Sequence, residues 1–370
     1  MKILQVIPNL NAGGGERFTV DLCNELSREH EVHLITFYDT DGYDLLAGFL
    51  NDSVKLQTLH KKRGFDYKII FRLYAQIKKI HPDVIHTHLR CINYLLPLIP
   101  LFKVIKIIHT IHSDAFRECE NIYIRKIRNL FFKRGIIIPV TVSKESSIKY
   151  YEAYRNKKCY LIHNGRSYPD KSEKYNKTKS EIENYKLNNS TKVFINVARI
   201  SDEKNQTMLI DAFSQYINDT QSDAILLIIG GGKNESLKNK IKDKIAFSSK
   251  RGVRIFYLNE KSNVTDYLYT SNFFCLTSLY EGMPISLIEA LAVGCIPIST
   301  PAGGVSEIIS ELNKSFLSSD YTRDSYVKLL KKVTELNENE YNKYKYEAIS
   351  MFRSEYTINK SVNKYINIYE

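Results

Sequence analysis

Short apolar runs recur along this chain, and between them lie longer stretches in which apolar residues return every three or four positions. The runs at 3–7, 32–37, 54–59, 84–87, 104–109, 140–142 and 160–162 predict strands in the first half, and 193–198, 224–229, 253–257, 273–276 and 296–299 predict them in the second. Most are rich in Ile, Val and Leu without a break, as strands covered on both faces require. Helical spacing occupies 15–28 and 66–80, then 203–216, 235–247 and 285–293. Strand and helix alternating in this way predict an α/β fold of two doubly wound, Rossmann-like domains with parallel sheets.

Length agrees with that division, because 370 residues exceed what one hydrophobic core usually serves. The boundary is set at 165/166, before a polar stretch at 167–191 that reads as a linker or surface excursion. The run from about 340 to 370 carries Tyr at helical spacing, and 346–370 is set apart as a last helix. Six scattered cysteines, with no C-x-x-C pair and no zinc spacing, predict reduced thiols in a cytoplasmic protein. The first residues turn polar too soon for a signal peptide, and the longest apolar stretch, 94–102, is broken by Pro97 and Pro100, so no membrane span is expected.

Net charge is +12 and uneven: residues 1–165 hold 25 Lys/Arg against 16 Asp/Glu, net +9, and residues 166–370 hold 28 against 25, net +3. Lys61, Lys62, Arg63, Lys68, Arg72, Lys78 and Lys79 form one basic group. A second runs from Ile122 to Arg134, with Arg125, Lys126, Arg128, Lys133 and Arg134 among Ile127, Leu130, Phe131 and Phe132. A basic amphipathic helix of this kind suits an anionic membrane surface. Codon bias decorating solvated helix faces explains the same residues equally well. Nucleic acid is the weaker third option and is not expected as a partner, since no reading motif accompanies the charge.

Residues 281–307 carry the most chemistry. Gly282 and Pro284 mark a loop entering a helix and Gly294 marks its end, so backbone N–H groups collect near 283–286, at Met283, Ile285 and the residue after it. Such a start is a ready anion site, and Glu289, one turn inside, is placed to accept hydrogen bonds from hydroxyls of the same ligand. Phosphate beside vicinal hydroxyls describes a nucleotide sugar. Upstream, Arg199 ends a strand and Lys204 opens the next helix, so two cations converge where a diphosphate could be neutralised. A glycine-rich loop, Gly13-Gly14-Gly15, follows the first strand, and His112 follows the strand at 104–109.

Glu281 and Glu289, with Gly282, Pro284, Ala290, Gly294, Pro297, Gly303, Gly304 and Glu307, resemble the E-x7-E donor segment of retaining glycosyltransferases of family 4, which have the GT-B fold. The resemblance runs nearly the whole length. Gly13-Gly14-Gly15-Glu16-Arg17 is similar to the family's G-G-x-E-R segment, Thr110 to Asp114 to its T-x-H-D pattern with Ser113 inserted, and 194–205 to its G-R-L…E-K segment with Ala198 in place of Gly. Asn164-Gly165 resembles its N-G turn at the domain junction, although Arg166 and Ser167 stand where Val and Asp are usual.

The resemblance implies two domains facing across a cleft, the last helix crossing back to the first domain, and transfer of a hexosyl or N-acetylhexosaminyl group from a nucleotide, UDP most of all, to a glycan or lipid-linked acceptor in cell-surface polysaccharide synthesis. It assigns Glu289 to the ribose, Arg199 and Lys204 to the diphosphate, Glu281 and His112 to the sugar, and Gly14, Gly15, Gly282, Met283, Pro284 and Ile285 to the donor's surroundings. Neither a cofactor nor a metal is expected, and the protein would be cytoplasmic or peripheral at the inner membrane face.

Rival readings fare worse. Gly13 to Gly15 lacks G-x-G-x-x-G spacing, so even with Asp39 as the acid a nicotinamide site is only half present. Asp39-Thr40-Asp41 has the D-x-D form of a metal site but stands in a loop without further support. Glu281 and Glu289 on one helix would lie about 12 Å apart along its axis, outside the roughly 5 to 9.5 Å of glycoside hydrolysis. The remaining alternatives are an NDP-sugar epimerase or hydrolase on the same scaffold and a non-catalytic basic module.

Overall fold

The computed structural model describes residues 1–11, 13–38, 46–62, 64, 66–102 and 104–370. They form two compact units, Met1–Ser167 with Tyr356–Glu370, and Tyr168–Glu355. Unit 1 holds a sheet of β1 (Lys2–Ile7), β2 (Glu31–Thr36), β3 (Lys55–Thr58), β4 (Val84–His88), β5 (Lys106–Ile111), β6 (Ile137–Thr141) and β7 (Tyr160–Leu161), in the order β3-β2-β1-β4-β5-β6-β7. Unit 2 holds β8 (Lys192–Val197), β9 (Ala224–Ile229), β10 (Ile255–Tyr257), β11 (Phe273–Leu276) and β12 (Ile296–Ser299), in the order β10-β9-β8-β11-β12. All strand pairs are parallel.

Parallel pairing needs helical crossovers that cover both sheet faces, and this is why β9 (AILLII) is buried at every position. Strand order reverses between β1 and β4 in unit 1 and between β8 and β11 in unit 2. Loops leaving the carboxyl ends of strands diverge at such a switch point, opening a crevice where ligands of doubly wound sheets bind. The segments singled out for chemistry leave the carboxyl ends of β1, β5, β8 and β11.

Several expectations shift. The strand placed at 104–109 runs over Lys106–Ile111, with Val104 fully in solvent, because pairing of Val84 with Lys106 sets the register. The stretch at 167–191 is more than a linker: it contains the Tyr175–Tyr185 helix, whose buried Thr178 and Ile182 are too few to announce an amphipathic period. The C-terminal run is two helices rather than one. Glu338–Glu355 belongs to unit 2, and Ile358–Tyr369 belongs to unit 1, so the division falls at 356 instead of 346. Buried Tyr356 marks the break. Its carbonyl accepts from the Arg166 N–H at 2.9 Å, and the Ile358 N–H donates to the Arg166 carbonyl at 3.0 Å.

Arg166 also sends its side chain to Asp21, 2.6 Å away and buried, so the residue that departs from the family's N-G turn acquires a partner inside unit 1. A larger correction concerns the Ile122–Lys133 helix. Arg128 is wholly buried, bonded to Glu118 at 2.9 Å and to Asn93 at 2.9 Å, and is no part of a basic surface. Arg125 is half-buried over the Phe116 ring. Exposed on that helix are Ile122, Tyr123, Lys126, Ile127, Leu130 and Lys133, followed by Arg134. Among the described residues no helix is long and apolar enough to cross a membrane.

Candidate active site

In unit 2 the loops after β8 and β11 are bound to each other. Thr277 Oγ1 donates to the carbonyls of Lys204 and Asn205, each at 3.1 Å, and the Leu279 N–H donates to the Glu203 carbonyl at 2.8 Å. These bonds bring Lys204 to Glu281, 2.6 Å from Nζ to Oε1, with Glu281 buried and also accepting from Ser278 Oγ at 2.6 Å. Gly303 holds the other side of Glu281. Its φ of 52° suits only glycine well, and a Cβ there would collide with the Glu281 carbonyl oxygen. The early glycine pair 303–304 thus matters because it lets β12's loop lie against the glutamate's backbone.

Gly282 bends the chain, Pro284 is the N-cap, and the helix runs from Ile285 to Val293, ending at Gly294. Met283 and Ile285 are buried, so they offer a ligand backbone and not side chains. Pro284 has no N–H to give. Glu289 is half-buried, one turn into the helix. Arg199 is exposed, and among the described residues its guanidinium has no partner, while its carbonyl accepts from Gln206 Nε2 at 3.0 Å. Ser201 Oγ and Gln206 Oε1, beside it, are buried without hydrogen-bond partners among the described residues. Nothing in the sequence marked those two.

A further element was missed. Gly230-Gly231-Gly232 leaves the carboxyl end of β9, and a Cβ at Gly230 would collide with the Ala198 carbonyl oxygen just before Arg199. The Ile200 N–H donates to the Gly231 carbonyl at 2.7 Å. Three glycines directly after a wholly apolar strand were the available signal, since a backbone this close to its neighbour tolerates no side chain.

In unit 1, Gly14 opens the Gly14–Leu26 helix, and the bare backbone of Gly15 lies over the His112 ring, 3.4 Å from where a Cβ would stand to Cγ. His112 leaves β5 and is almost buried; burial holds its pKa down to about 4, so it is neutral at pH 7. Its Nε2 is 2.9 Å from His88 Nδ1, and its Nδ1 has no partner among the described residues. His86 and His88 lie fully buried on β4, bonded within the unit. Asp39 and Asp41 lie outside the described residues.

Comparison with known proteins agrees with this fold. Residues 12–167 match the model described as Glycosyltransferase Family 4, and residues 177–351 match Glycosyl transferases group 1. The chain is 27% identical over 332 residues to the capsular polysaccharide biosynthesis glycosyltransferase CapH of Staphylococcus aureus, covering 87% of this chain and 86% of the relative. It is 25% identical over 336 residues, covering 86% and 84%, to a Campylobacter jejuni α-1,4-N-acetyl-D-galactosaminyltransferase named for a PP-undecaprenol-linked glycan. Among solved structures, Anabaena HepE in complex with UDP superposes with a TM-score of 0.81 at 14% identity, covering 99% of both chains, a likeness of fold. The two doubly wound parallel sheets and these matches over both units make the chain a GT-B glycosyltransferase of the family 4 type.

Proposed function

We propose that the enzyme moves a hexosyl or N-acetylhexosaminyl group, with retention, from a UDP-linked donor to a lipid-linked glycan acceptor in cell-surface polysaccharide assembly. The observation that carries this reading is the Lys204–Glu281 pair at the β8 and β11 carboxyl ends, followed by the Ile285 helix start, with Arg199 exposed and its guanidinium without a partner among the described residues. UDP in the complex of the structural neighbour, and the PP-undecaprenol in the name of one relative, support the choice of donor and acceptor class.

In this reading Glu289 accepts from the ribose hydroxyls, while Arg199 and Lys204 meet the diphosphate. The bond from the anomeric carbon to phosphate oxygen breaks, the acceptor oxygen bonds that carbon on the same face, and the acceptor's proton goes to the departing phosphate. Charge builds on the leaving oxygen, so fixed cations act where the transition state needs them, for several kcal/mol in general. Glu281, held by Lys204 and Ser278, and His112 meet the sugar. Gly14, Gly15, Gly282, Met283, Pro284 and Ile285 line the donor with backbone. Neither cofactor nor metal takes part.

The Ile122–Lys133 helix supports a peripheral membrane partner on part of the expected residues, without Arg125, Arg128, Phe131 and Phe132. Ile122, Tyr123, Ile127 and Leu130 stand in solvent beside Lys126, Lys133 and Arg134, an apolar stripe edged by cations.

Thermal shift with a panel of UDP-, GDP- and ADP-sugars tests the donor, since a ligand at one hundred times its Kd stabilises by about 2.7 kcal/mol. A UDP-sugar is expected to give the largest shift, and UDP release is expected to rise steeply with a diphospho-undecaprenol acceptor. A shift only with another nucleotide would overturn the donor. UDP release equally fast without acceptor would turn the enzyme into a hydrolase.

A further inference from the structure

Behind His112 lies a continuous line of buried polar groups that donor binding in unit 2 does not use. His112 Nε2 meets His88 Nδ1 at 2.9 Å, and His88 Nε2 meets Gln5 Oε1 at 2.8 Å. Gln5 Nε2 then donates to the Tyr369 hydroxyl at 3.2 Å, and that hydroxyl meets His86 Nδ1 at 2.7 Å. His86 Nε2 reaches Thr110 Oγ1 at 2.7 Å, and Thr110 Oγ1 meets the Tyr365 hydroxyl at 2.8 Å. Gln5, His86, His88, Thr110, Tyr365 and Tyr369 are all buried, so no water competes for these bonds.

Each member of such a line gives one hydrogen and takes one, so its direction is shared. With Gln5 donating to Tyr369 and accepting from His88, the His88 proton sits on Nε2 and its bare Nδ1 accepts from His112 Nε2–H. Neutral His112 then carries a lone pair on Nδ1. The opposite direction would leave a ring N–H of His112 buried and unpartnered, fixed in the ring plane, and orphaned buried donors are rarer than orphaned acceptors. At the far end the hydroxyl protons of Thr110 and Tyr365 rotate and suit either direction.

We propose that His88 and Gln5 are positioning residues that hold the His112 proton on Nε2, so that Nδ1 accepts a hydrogen bond from a hydroxyl of the bound sugar. A donor carrying a hydroxyl at that point is matched, and a deoxy analogue there leaves the lone pair buried and unpaired. Burial keeps all three histidines neutral, with pKa values below the usual range. The titratable neighbours are His109 on β5 and Glu118, from the short Ala115–Glu118 helix; burial dominates over both at His112. Phe18, on the Gly14–Leu26 helix, packs T-shaped against the His112 ring at 5.9 Å between centroids and adds no charge. The proposal rests on the reading that His112 meets the donor sugar.

Nitrogen-15 spectra of the histidine rings in the full chain, with His112 and His88 assigned by difference against single substitutions, read the tautomers without any substrate. Both rings are expected neutral at pH 7, protonated on Nε2 and bare on Nδ1. A His112 proton on Nδ1 overturns the proposal. Gln5→Glu places a carboxylate against His88 Nε2–H, draws a second proton onto His88 Nδ1 and reverses the His112 tautomer. UDP release from whichever of UDP-glucose, UDP-galactose, UDP-N-acetylglucosamine and UDP-N-acetylgalactosamine the wild type consumes fastest should fall about tenfold at pH 7, one hydrogen bond's worth. It should recover as pH rises. His88→Leu should lose as much, and His88→Asn, which keeps an acceptor near Nδ1, should restore most of it. Folded His88→Leu with wild-type turnover also overturns the proposal; if that variant does not fold, the wild-type tautomer and the Gln5→Glu pH profile decide. Calorimetry with UDP separates the two readings, because loss of UDP binding in the wild type removes the donor site and leaves the tautomers untouched.

Discussion

Lys204 and Arg199 are both cations at the end of one strand, but the structure gives them different partners. Lys204 neutralises the buried Glu281, so Lys204→Ala should cost about 1–3 kcal/mol of unit 2 stability by leaving that carboxylate, among the described residues, with the Ser278 hydroxyl. Arg199 is exposed and its guanidinium has no partner among the described residues, so Arg199→Ala should leave the urea midpoint unchanged. Both should lower turnover by about ten- to a thousandfold, the loss of one transition-state contact. Equal midpoints for the two variants, or wild-type turnover in either, would contradict the assignment. Glu289→Gln should weaken UDP binding by calorimetry with little change in folding, because a diol needs both carboxylate oxygens as acceptors. An unchanged Kd would mean the ribose lies elsewhere.

Strands β4 and β5 carry an acid sensitivity of their own. His86, His88 and His112 have pKa values pushed down by burial, to about 4 at His112, so the unfolded chain binds protons near pH 6.5 that the folded chain refuses. Stability is therefore full above pH 6.5 and falls as pH drops toward the folded values. With three such groups the slope reaches at most about 4 kcal/mol per pH unit. Chemical denaturation at pH 7 and pH 5 should show the unit 1 transition moving to lower urea. Identical midpoints would mean that these rings are hydrated and not buried. At the same scale the Ile122–Lys133 helix shows why charge counting misleads: Arg128 has its burial repaid by Glu118 and Asn93, which lie distant in sequence and could not be paired with it from the helix alone.

For the whole molecule, the net charge of +9 in residues 1–165 and the exposed stripe on that helix predict salt-sensitive binding to anionic vesicles. Co-sedimentation should weaken at high salt and fall sharply when Lys126, Lys133 and Arg134 are changed together to Glu. Equal binding to neutral and anionic vesicles would return the charge to composition. Activity is expected to persist in EDTA, since Arg199 and Lys204 supply the positive charge a leaving diphosphate needs. Loss of activity restored by magnesium would shift weight to Asp39 and Asp41.

Read by itself, the sequence determined the fold class, the strands 224–229, 273–276 and 296–299 to the residue, and the Ile285–Val293 helix. Each is a local property: apolar continuity, or a proline and a glycine at helix ends. Tertiary structure alone decided which of two lysine or arginine side chains is paired, that Arg128 is inside and Lys126 outside, and that Gly230 exists to let β9's loop touch the Ala198 carbonyl. It also decided that Gln5, His88 and Tyr369, from three distant segments, stand in one hydrogen-bonded line behind His112. Hydrogen-bond partners and burial depend on which strands the topology places side by side, and with parallel pairing those strands are far apart in the chain.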